Sequence, residues 1–235
     1  MHNTQIYLDG ANLDDVEKLA NENNISGFTS NPSLMFNSGI KNYDEFIIKF
    51  LSLSNNKPVS FEVVSDEFEQ MYKEAKKISS YSESIYIKIP IINTQKQSSV
   101  DLIRSLLDEG HKINVTAILS QNQLDSLTSS LLSNDDVIIS YFAGRVADTG
   151  IDPVPVINKL QNKIKDNKLL NAKILWASPR EVYNIYQAKE NNVDIITVTK
   201  SLIDKLELYK KDLDDYSLET VKMFLNDAKK NNLKI

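Results

Sequence analysis

Strand-like and helix-like segments alternate along the chain, and this alternation restricts the fold more than any other feature. Eight segments rich in β-branched and aromatic residues predict strands, near residues 5–9, 26–30, 59–64, 85–89, 112–116, 136–141, 173–177 and 194–198. Apolar residues at helical spacing predict the intervening helices, near residues 13–23, 43–54, 66–79, 96–109, 120–132, 154–167, 180–191 and 200–208. Eight strand–helix units in about 210 residues predict an α/β fold, the closed (β/α)8 or TIM barrel.

A doubly wound α/β sheet is the competing fold. Such a sheet usually carries a glycine-rich phosphate loop after an early strand, and none of the six glycines forms a GxGxxG motif. We therefore expect a single barrel domain over residues 1–235, with an extra C-terminal helix near residues 218–231. That helix has an apolar stripe, formed by Leu218, Val221, Leu225 and Ala228. The stripe either caps the bottom of the barrel or contacts a neighbouring subunit.

The start of the third predicted helix has its own signal. Ser65 precedes Asp66, Glu67 and Phe68, which predicts a serine N-cap followed by an acidic first turn. We therefore place the beginning of this helix at about residue 66.

Composition narrows the classes of partner. The formal charge of −5 argues against a general nucleic-acid binder. The chain has no cysteine, its two histidines are far apart, and no Asp/Glu spacing resembles a metal site, so we expect no metal and no disulfide. Without an apolar leader or a run of about 18 apolar residues, we expect a cytoplasmic protein that does not enter a membrane.

A lysine lies within one of the predicted strands. Residues 84–90 alternate so that the isoleucines share one face and Tyr86 and Lys88 share the other. Burying an ammonium group costs several kcal/mol unless it is paired, so a buried lysine either pairs or loses its proton. A neutral lysine attacks carbonyl carbon and forms a Schiff base. On this strand alone, a lysine that faces water remains the commoner alternative.

Polar residues recur at or near the ends of several other predicted strands. Because the active sites of barrels lie at the carboxyl ends of their strands, these residues predict one composite site around Lys88. They are Asp9, Thr29, Ser30, Asn31, Glu62, Asn114, Thr116, Ser140 and Ser178.

Six motifs in this order resemble those of the small-type transaldolases, a family that includes fructose 6-phosphate aldolase. The resemblance covers essentially the whole chain. The motifs lie at residues 7–9 (YLD), 27–33 (GFTSNPS), 87–90 (IKIP), 110–116 (GHKINVT), 140–145 (SYFAGR) and 177–180 (ASPR). The chain departs from the family pattern in the loop at residues 91–95, at Pro179 and at Lys200.

The resemblance implies a role for each residue. Lys88 is the Schiff-base nucleophile, Glu62 and Thr116 hold a catalytic water, and Asp9 is the acid/base for carbon–carbon cleavage. The remaining residues are implied to bind substrate. Asn31, Asn114 and Ser140 would contact the dihydroxyacetone unit, Phe142 would line its pocket, and Arg145, Ser178 and Arg180 would bind the phosphate.

The resemblance also implies the reaction: transfer of a dihydroxyacetone unit from fructose 6-phosphate or sedoheptulose 7-phosphate to an aldose phosphate, without a cofactor, by a homo-oligomer. Glu62 and Phe142 resemble transaldolases, whereas fructose 6-phosphate aldolases tend to carry Gln and Tyr. Three alternatives stay open: an aldolase that releases free dihydroxyacetone, a related enzyme for another anionic sugar such as a sulfosugar, and a non-catalytic sugar-phosphate binding protein. Lys200 is either a second site lysine or a solvated residue at a helix start.

Overall fold

The computed structural model describes residues 4–233 and shows eight parallel strands in a closed barrel, each paired with the next and the last with the first. This confirms the predicted (β/α)8 barrel. The strands are β1 (Gln5–Asp9), β2 (Ile25–Thr29), β3 (Val59–Glu62), β4 (Ile85–Pro90), β5 (Ile113–Ile118), β6 (Val137–Tyr141), β7 (Ala172–Trp176) and β8 (Ile195–Val198).

The helices lie between and after the strands. They are α1 (Leu13–Ala20), α2 (Pro32–Asn37), α3 (Tyr43–Leu53), α4 (Phe68–Ser79), α5 (Val100–Asp108), α6 (Gln121–Ser130), α7 (Ala143–Asp148), α8 (Val154–Asp166), α9 (Tyr183–Glu190), α10 (Lys200–Asp204) and α11 (Leu213–Lys230). A 3-10 helix, Lys205–Leu208, completes the segment predicted as one helix over 200–208. Within residues 4–233, no helix is long and apolar enough to cross a membrane.

Two short helices were not predicted. Helix α2 begins with Pro32 directly after Asn31, whose side chain caps the helix, and this Asn-Pro pair is a start signal that sequence reasoning could have used. Helix α7 spans only six residues and contains Gly144, so it is too short to show helical periodicity.

Two predicted helix starts were wrong. Helix α4 begins at Phe68, not near residue 66, because the Ser65 hydroxyl and the Asp66 carboxylate bind Glu74 and Thr94 and do not cap the helix. Helix α11 begins at Leu213, five residues before the predicted start at 218. Its cap is Asp212, whose side chain accepts hydrogen bonds from the backbone N–H groups of Asp214 and Asp215.

The barrel interior contains a largely apolar layer of buried side chains. Tyr86 lies in this layer, and its hydroxyl donates to Asp136 Oδ1 at 2.7 Å. Gly27 leaves room for the ring of Tyr7, since a Cβ at position 27 would lie 2.5 Å from Tyr7 Cζ. The layer consists of Tyr7, Tyr86, Ile138, Leu175, Ala177 and Ile195, with Phe142 packed against it.

The described chain divides into two compact units, the first ending at Lys200 and the second beginning at Ser201. The eight strands belong to the first unit. The second contains most of α10, the 3-10 helix and α11. The single domain expected over residues 1–235 stays a prediction.

Candidate active site

A cavity of ≈ 440 Å³ opens at the carboxyl ends of the strands. It brings together ten of the eleven residues to which the family resemblance gave a role. They are Asp9, Asn31, Glu62, Lys88, Asn114, Thr116, Ser140, Phe142, Arg145 and Ser178. Arg180 is the eleventh and does not line the cavity. The structure shows that these ten residues line one cavity, and the roles assigned to them stay predictions.

Lys88 projects into the barrel from the middle of β4, so the water-facing lysine that this strand alone had favoured is not what the structure shows. Its side chain is only 8% exposed, so it does not face bulk water. The ammonium nitrogen lies 3.2 Å from Glu62 Oε2 and donates to the backbone carbonyl of Ser30 at 3.1 Å. The buried Lys88 ammonium therefore has a carboxylate within ion-pair distance inside the cavity.

Asp9 ends β1 and lies at the cavity wall. The hydroxyl of Thr29 on the neighbouring strand donates to Asp9 Oδ1 at 2.7 Å. Burial raises the pKa of the Asp9 carboxyl above the ordinary aspartate range, while the nearby charge of Lys88 and the Thr29 hydroxyl act in the opposite direction. Asp9 does not cap α1, because the side chain of Asn12 does so. The position suits a carboxyl group that exchanges a proton with a bound molecule.

A buried network of hydrogen bonds joins three strands at the floor of the cavity. Asn114 Nδ2 donates to Ser60 Oγ at 2.9 Å, and Ser140 Oγ donates to Asn114 Oδ1 at 2.6 Å. All three residues are almost fully buried. These two hydrogen bonds fix the orientation of the Asn114 side-chain amide, with Nδ2 towards Ser60 and Oδ1 towards Ser140. The second N–H of Nδ2 remains available to the cavity.

Thr116 and Asn31 differ in how their polar groups are used. The Thr116 hydroxyl is buried and has no hydrogen-bond partner among the described residues, so it is available to a bound water or substrate. The side-chain Oδ1 of Asn31 accepts from the backbone N–H of Leu34 at 3.0 Å and so caps α2. Its side-chain N–H₂ group remains to be used in the cavity, which Asn31 lines.

One corner of the cavity carries a positive charge. The guanidinium carbon of Arg145 lies 5.5 Å from the centre of the Phe142 ring, a cation–π contact. Ser178 lies beside it in the left-handed backbone region, with φ of 60°. This corner depends on Gly144, because a Cβ there would lie 1.6 Å from the Ser178 carbonyl oxygen. The corner can bind an anionic group of a ligand.

Arg180 lies apart from this corner. Its guanidinium pairs with the carboxylate of Asp148, and both side chains are about half exposed. Its backbone N–H donates to Asn184 Oδ1 at 2.7 Å. In this arrangement, the charge of Arg180 is balanced by Asp148 and is not directed into the cavity.

Sequence reasoning gave no role to several residues at the cavity. Thr197 and Ala117 line it, and Ser60 supports it from below. Thr29 also lines it and was among the polar strand ends predicted to form the site. Ser60 and Glu62 are two residues apart on one strand, so the period of two could have placed Ser60 on the inner face. Within residues 4–233, no three or more His, Asp or Glu side chains are grouped to hold a metal ion.

A closed (β/α)8 barrel with ionisable side chains gathered at the carboxyl ends of its strands has the arrangement of a TIM-barrel enzyme. At the level of fold alone, the chain is similar to the crystal structure of dihydrodipicolinate synthase from Rhodopseudomonas palustris. The TM-score is 0.58 and the identity 11%, covering 97% of this chain and 80% of that one.

Sequence comparison is more specific. The chain belongs to the transaldolase/fructose-6-phosphate aldolase family, whose sequence model matches residues 6–235. It is 33% identical over 202 residues to a probable transaldolase of Carboxydothermus hydrogenoformans, covering 86% of this chain and 89% of the relative. It is 33% identical over 226 residues to one of Bartonella tribocorum, covering 96% and 97%. It is therefore an enzyme of the transaldolase type, which confirms the family resemblance read from the sequence.

Proposed function

We propose that the protein is a transaldolase that transfers a dihydroxyacetone unit between sugar phosphates through a Schiff base on Lys88. The observation that carries the proposal is the buried Lys88 amine, 3.2 Å from the Glu62 carboxylate in a polar cavity. The family match and the relatives named as probable transaldolases support it.

The first half of the reaction forms the imine. The Lys88 amine, after losing a proton to Glu62, attacks C2 of the ketose phosphate and gives a carbinolamine. The carbinolamine oxygen takes up a proton and leaves as water, which yields a protonated imine. Glu62 and the unpaired Thr116 hydroxyl are the groups we assign to this water.

The second half breaks and remakes a carbon–carbon bond. Asp9 removes the proton of the C4 hydroxyl, the C3–C4 bond breaks, and its electron pair moves towards the imine to give an enamine. The aldose phosphate leaves. The enamine carbon then attacks the aldehyde of an acceptor, whose oxygen takes the proton back from Asp9, and water releases the new ketose. The raised pKa of Asp9 suits a group that must hold this proton between the two steps.

The remaining residues bind the substrate. Asn31, Asn114 and Ser140 are assigned to the hydroxyls of the three-carbon unit, since all three line the cavity. Arg145 and Ser178 are assigned to the phosphate. Arg180 joins them only if it leaves Asp148, and this pairing is the observation that favours testing other anionic groups, such as a sulfonate.

Phe142 favours the transferase over the aldolase. The enamine is either captured by an acceptor or protonated and released as dihydroxyacetone, and release needs a proton donor near the enamine carbon. Phe142 lines the cavity and supplies none. We expect erythrose 4-phosphate to raise turnover of fructose 6-phosphate more than tenfold, which is about 1.4 kcal/mol of barrier. Equal release of dihydroxyacetone with and without acceptor would favour the aldolase.

Trapping with borohydride tests the Schiff base. Fructose 6-phosphate plus borohydride should inactivate the enzyme and leave a reduced three-carbon adduct on the peptide that contains Lys88, whereas borohydride alone should not. An adduct on Lys200 instead, or binding without any adduct, would overturn the proposal.

We also propose that the enzyme is a cytoplasmic homo-oligomer. Exposed apolar side chains on α11 support self-association, since Leu218, Val221 and Leu225 are each at least half exposed.

A further inference from the structure

The strand end that carries Glu62 is held from outside the barrel by two side chains that do not line the cavity. We propose that Tyr43 and Glu74 are positioning residues for Glu62, setting the distance between its carboxylate and the Lys88 amine. The inference rests on the proposed function, because it assumes that this distance matters for imine formation.

Tyr43 supplies a hydrogen bond that the barrel itself does not. Strand β3 pairs with β2 only as far as Thr29 and Ser60, so the carbonyl of Glu62 lies beyond the last pair on that side. The Tyr43 hydroxyl, from the start of α3, donates to this carbonyl at 2.7 Å. Without this donor, the part-buried Glu62 carbonyl would have no hydrogen-bond partner. The folded state would be destabilised, or the end of β3 would move towards water.

The ring of Tyr43 is itself fixed by packing. It stacks against Phe46 at 6.4 Å and meets the edge of Phe61 at 6.4 Å, between ring centres. Phe61 precedes Glu62 on β3 and points outward, where it also packs edge-on against Phe50. The Tyr43 hydroxyl is therefore aimed by an aromatic cluster and cannot easily follow a displaced strand end.

Glu74 secures the residues that follow the strand. Its Oε2 accepts from the backbone N–H groups of Val64 at 2.8 Å and Ser65 at 3.0 Å, and its other oxygen accepts from the Ser65 hydroxyl. Glu74 lies at the middle of α4, in the helical layer outside the barrel. The Glu74 carboxylate thus takes the place of the neighbouring strand as hydrogen-bond acceptor for the backbone N–H groups of Val64 and Ser65.

The backbone connects these outer contacts to β4, the strand that carries Lys88. The N–H of Val63 donates to the carbonyl of Lys88 at 3.0 Å, so the end of β3 is tied to Lys88 on one side and to Tyr43 and Glu74 on the other. The backbone of Glu62 lies between these contacts, so they fix the position from which its side chain extends. A small displacement of reacting groups can cost about a hundredfold in rate.

Tyr43 and Glu74 also line a separate cleft on the outer surface, between α3 and α4, and this cleft offers a matched control. Tyr81 lines the same cleft, and its hydroxyl donates to Asp44 at 2.8 Å and not to β3. Tyr43→Phe and Tyr81→Phe each remove one hydroxyl from one cleft, but only the first removes a bond to Glu62.

The experiment compares both variants with the full-length unmodified enzyme. For Tyr43→Phe we expect kcat to fall at least tenfold with KM changed less than threefold, and borohydride trapping at saturating fructose 6-phosphate to slow by a similar factor. Tyr81→Phe should stay within threefold of the unmodified enzyme in all three measures. Unchanged trapping in Tyr43→Phe, or equal losses in both variants, would overturn the positioning role.

A second pair keeps the test decisive if Tyr43→Phe does not fold. Glu74→Gln should slow trapping in the same way, and Glu69→Gln, on the exposed face of the same helix, should not. An effect of Glu74→Gln on KM alone would contradict the proposal. Absence of trapping in the unmodified enzyme would instead be a failure of the proposed function, so the two failures are distinguishable.

Discussion

At the scale of single residues, the two carboxyl groups nearest Lys88 have different surroundings. Glu62 lies 3.2 Å from the amine, with its side chain 17% exposed. Asp9 is likewise partly buried, its hydrogen bond comes from the neutral hydroxyl of Thr29, and burial raises its pKa. We therefore assign the early proton of imine formation to Glu62 and the proton of carbon–carbon cleavage to Asp9.

The raised pKa of Asp9 predicts that this residue costs stability at neutral pH. A carboxyl whose pKa is higher in the folded chain holds its proton more tightly when folded, so stability falls as the pH rises from about 3.9 through the folded pKa. Asp9→Asn keeps an acceptor for Thr29 and removes the charge. The Tm of this variant should exceed that of the unmodified enzyme at pH 7, and the difference in Tm should shrink towards pH 4. The variant should also lose most of its activity.

The control for that measurement is Asp101→Asn, at an exposed position of α5. Its Tm should follow that of the unmodified enzyme across the same pH series. A lower Tm for Asp9→Asn at every pH would show that the ionised carboxylate stabilises the fold through Lys88.

The two arginines predict unequal effects on anion binding. Arg145 lines the cavity, whereas Arg180 must exchange Asp148 for the substrate. Arg145→Ala should weaken productive binding of phosphorylated substrates ten- to a hundredfold, as expected for about 1.5–3 kcal/mol of charge-assisted bonding. Arg180→Ala should have a smaller effect. Steady-state kinetics with unphosphorylated analogues are the control, and equal losses on both substrate types would contradict the anion-binding role.

At the scale of elements, the close approach of α7 to the segment after β7 builds the charged corner of the cavity. The backbone N–H of Gly144 donates to the carbonyl of Ala177 at 3.3 Å. Position 144 is therefore a contact between two backbone segments, and only glycine fits there without a shift.

Gly144→Ala should both destabilise the fold and weaken anion binding. The added Cβ would lie 1.6 Å from the Ser178 carbonyl oxygen, so α7 or the Ser178 segment must move. We expect a loss of about 1–3 kcal/mol in the free energy of unfolding, measured by urea denaturation, and a raised KM for phosphorylated substrates. Gly10→Ala is the matched stability control, because its Cβ would meet nothing closer than Leu8 Cγ at 3.9 Å. Equal stability of both variants would refute this reading of Gly144.

At the scale of the whole molecule, α11 predicts association between copies of the chain. Large apolar side chains on this helix are exposed, including Phe224 at 62% and Val221 at 59%. Exposure of so many apolar side chains on one helix is unusual unless a partner covers them.

Replacing apolar residues of α11 in the full-length chain tests this. The combined change Leu218→Lys, Val221→Lys and Leu225→Lys should yield smaller species in light scattering, because burying three ammonium groups opposes association. Lys222→Gln, at an exposed position of the same helix, should leave the mass unchanged. A monomeric unmodified enzyme at micromolar concentration would contradict the expected homo-oligomer.

The sequence by itself determined the barrel and the identity of most of the cavity residues. Strand and helix periodicity follow from local backbone geometry, so eight alternating units specified the order of the elements. The alternation in β4 put Tyr86 and Lys88 on one face, and the polar ends of the other strands predicted a common site around Lys88. Parallel strands brought Asp9, Glu62 and Asn114 to the same end.

Only the tertiary structure decided which partner each polar group takes. Asp66 binds Thr94 across 28 residues, Arg180 binds Asp148, and Tyr43 reaches Glu62 from another layer. None of these pairs is marked by spacing or periodicity. They depend on distances between elements that meet only when the barrel closes, and side-chain hydrogen bonds between distant segments are set by that packing and not by local propensity.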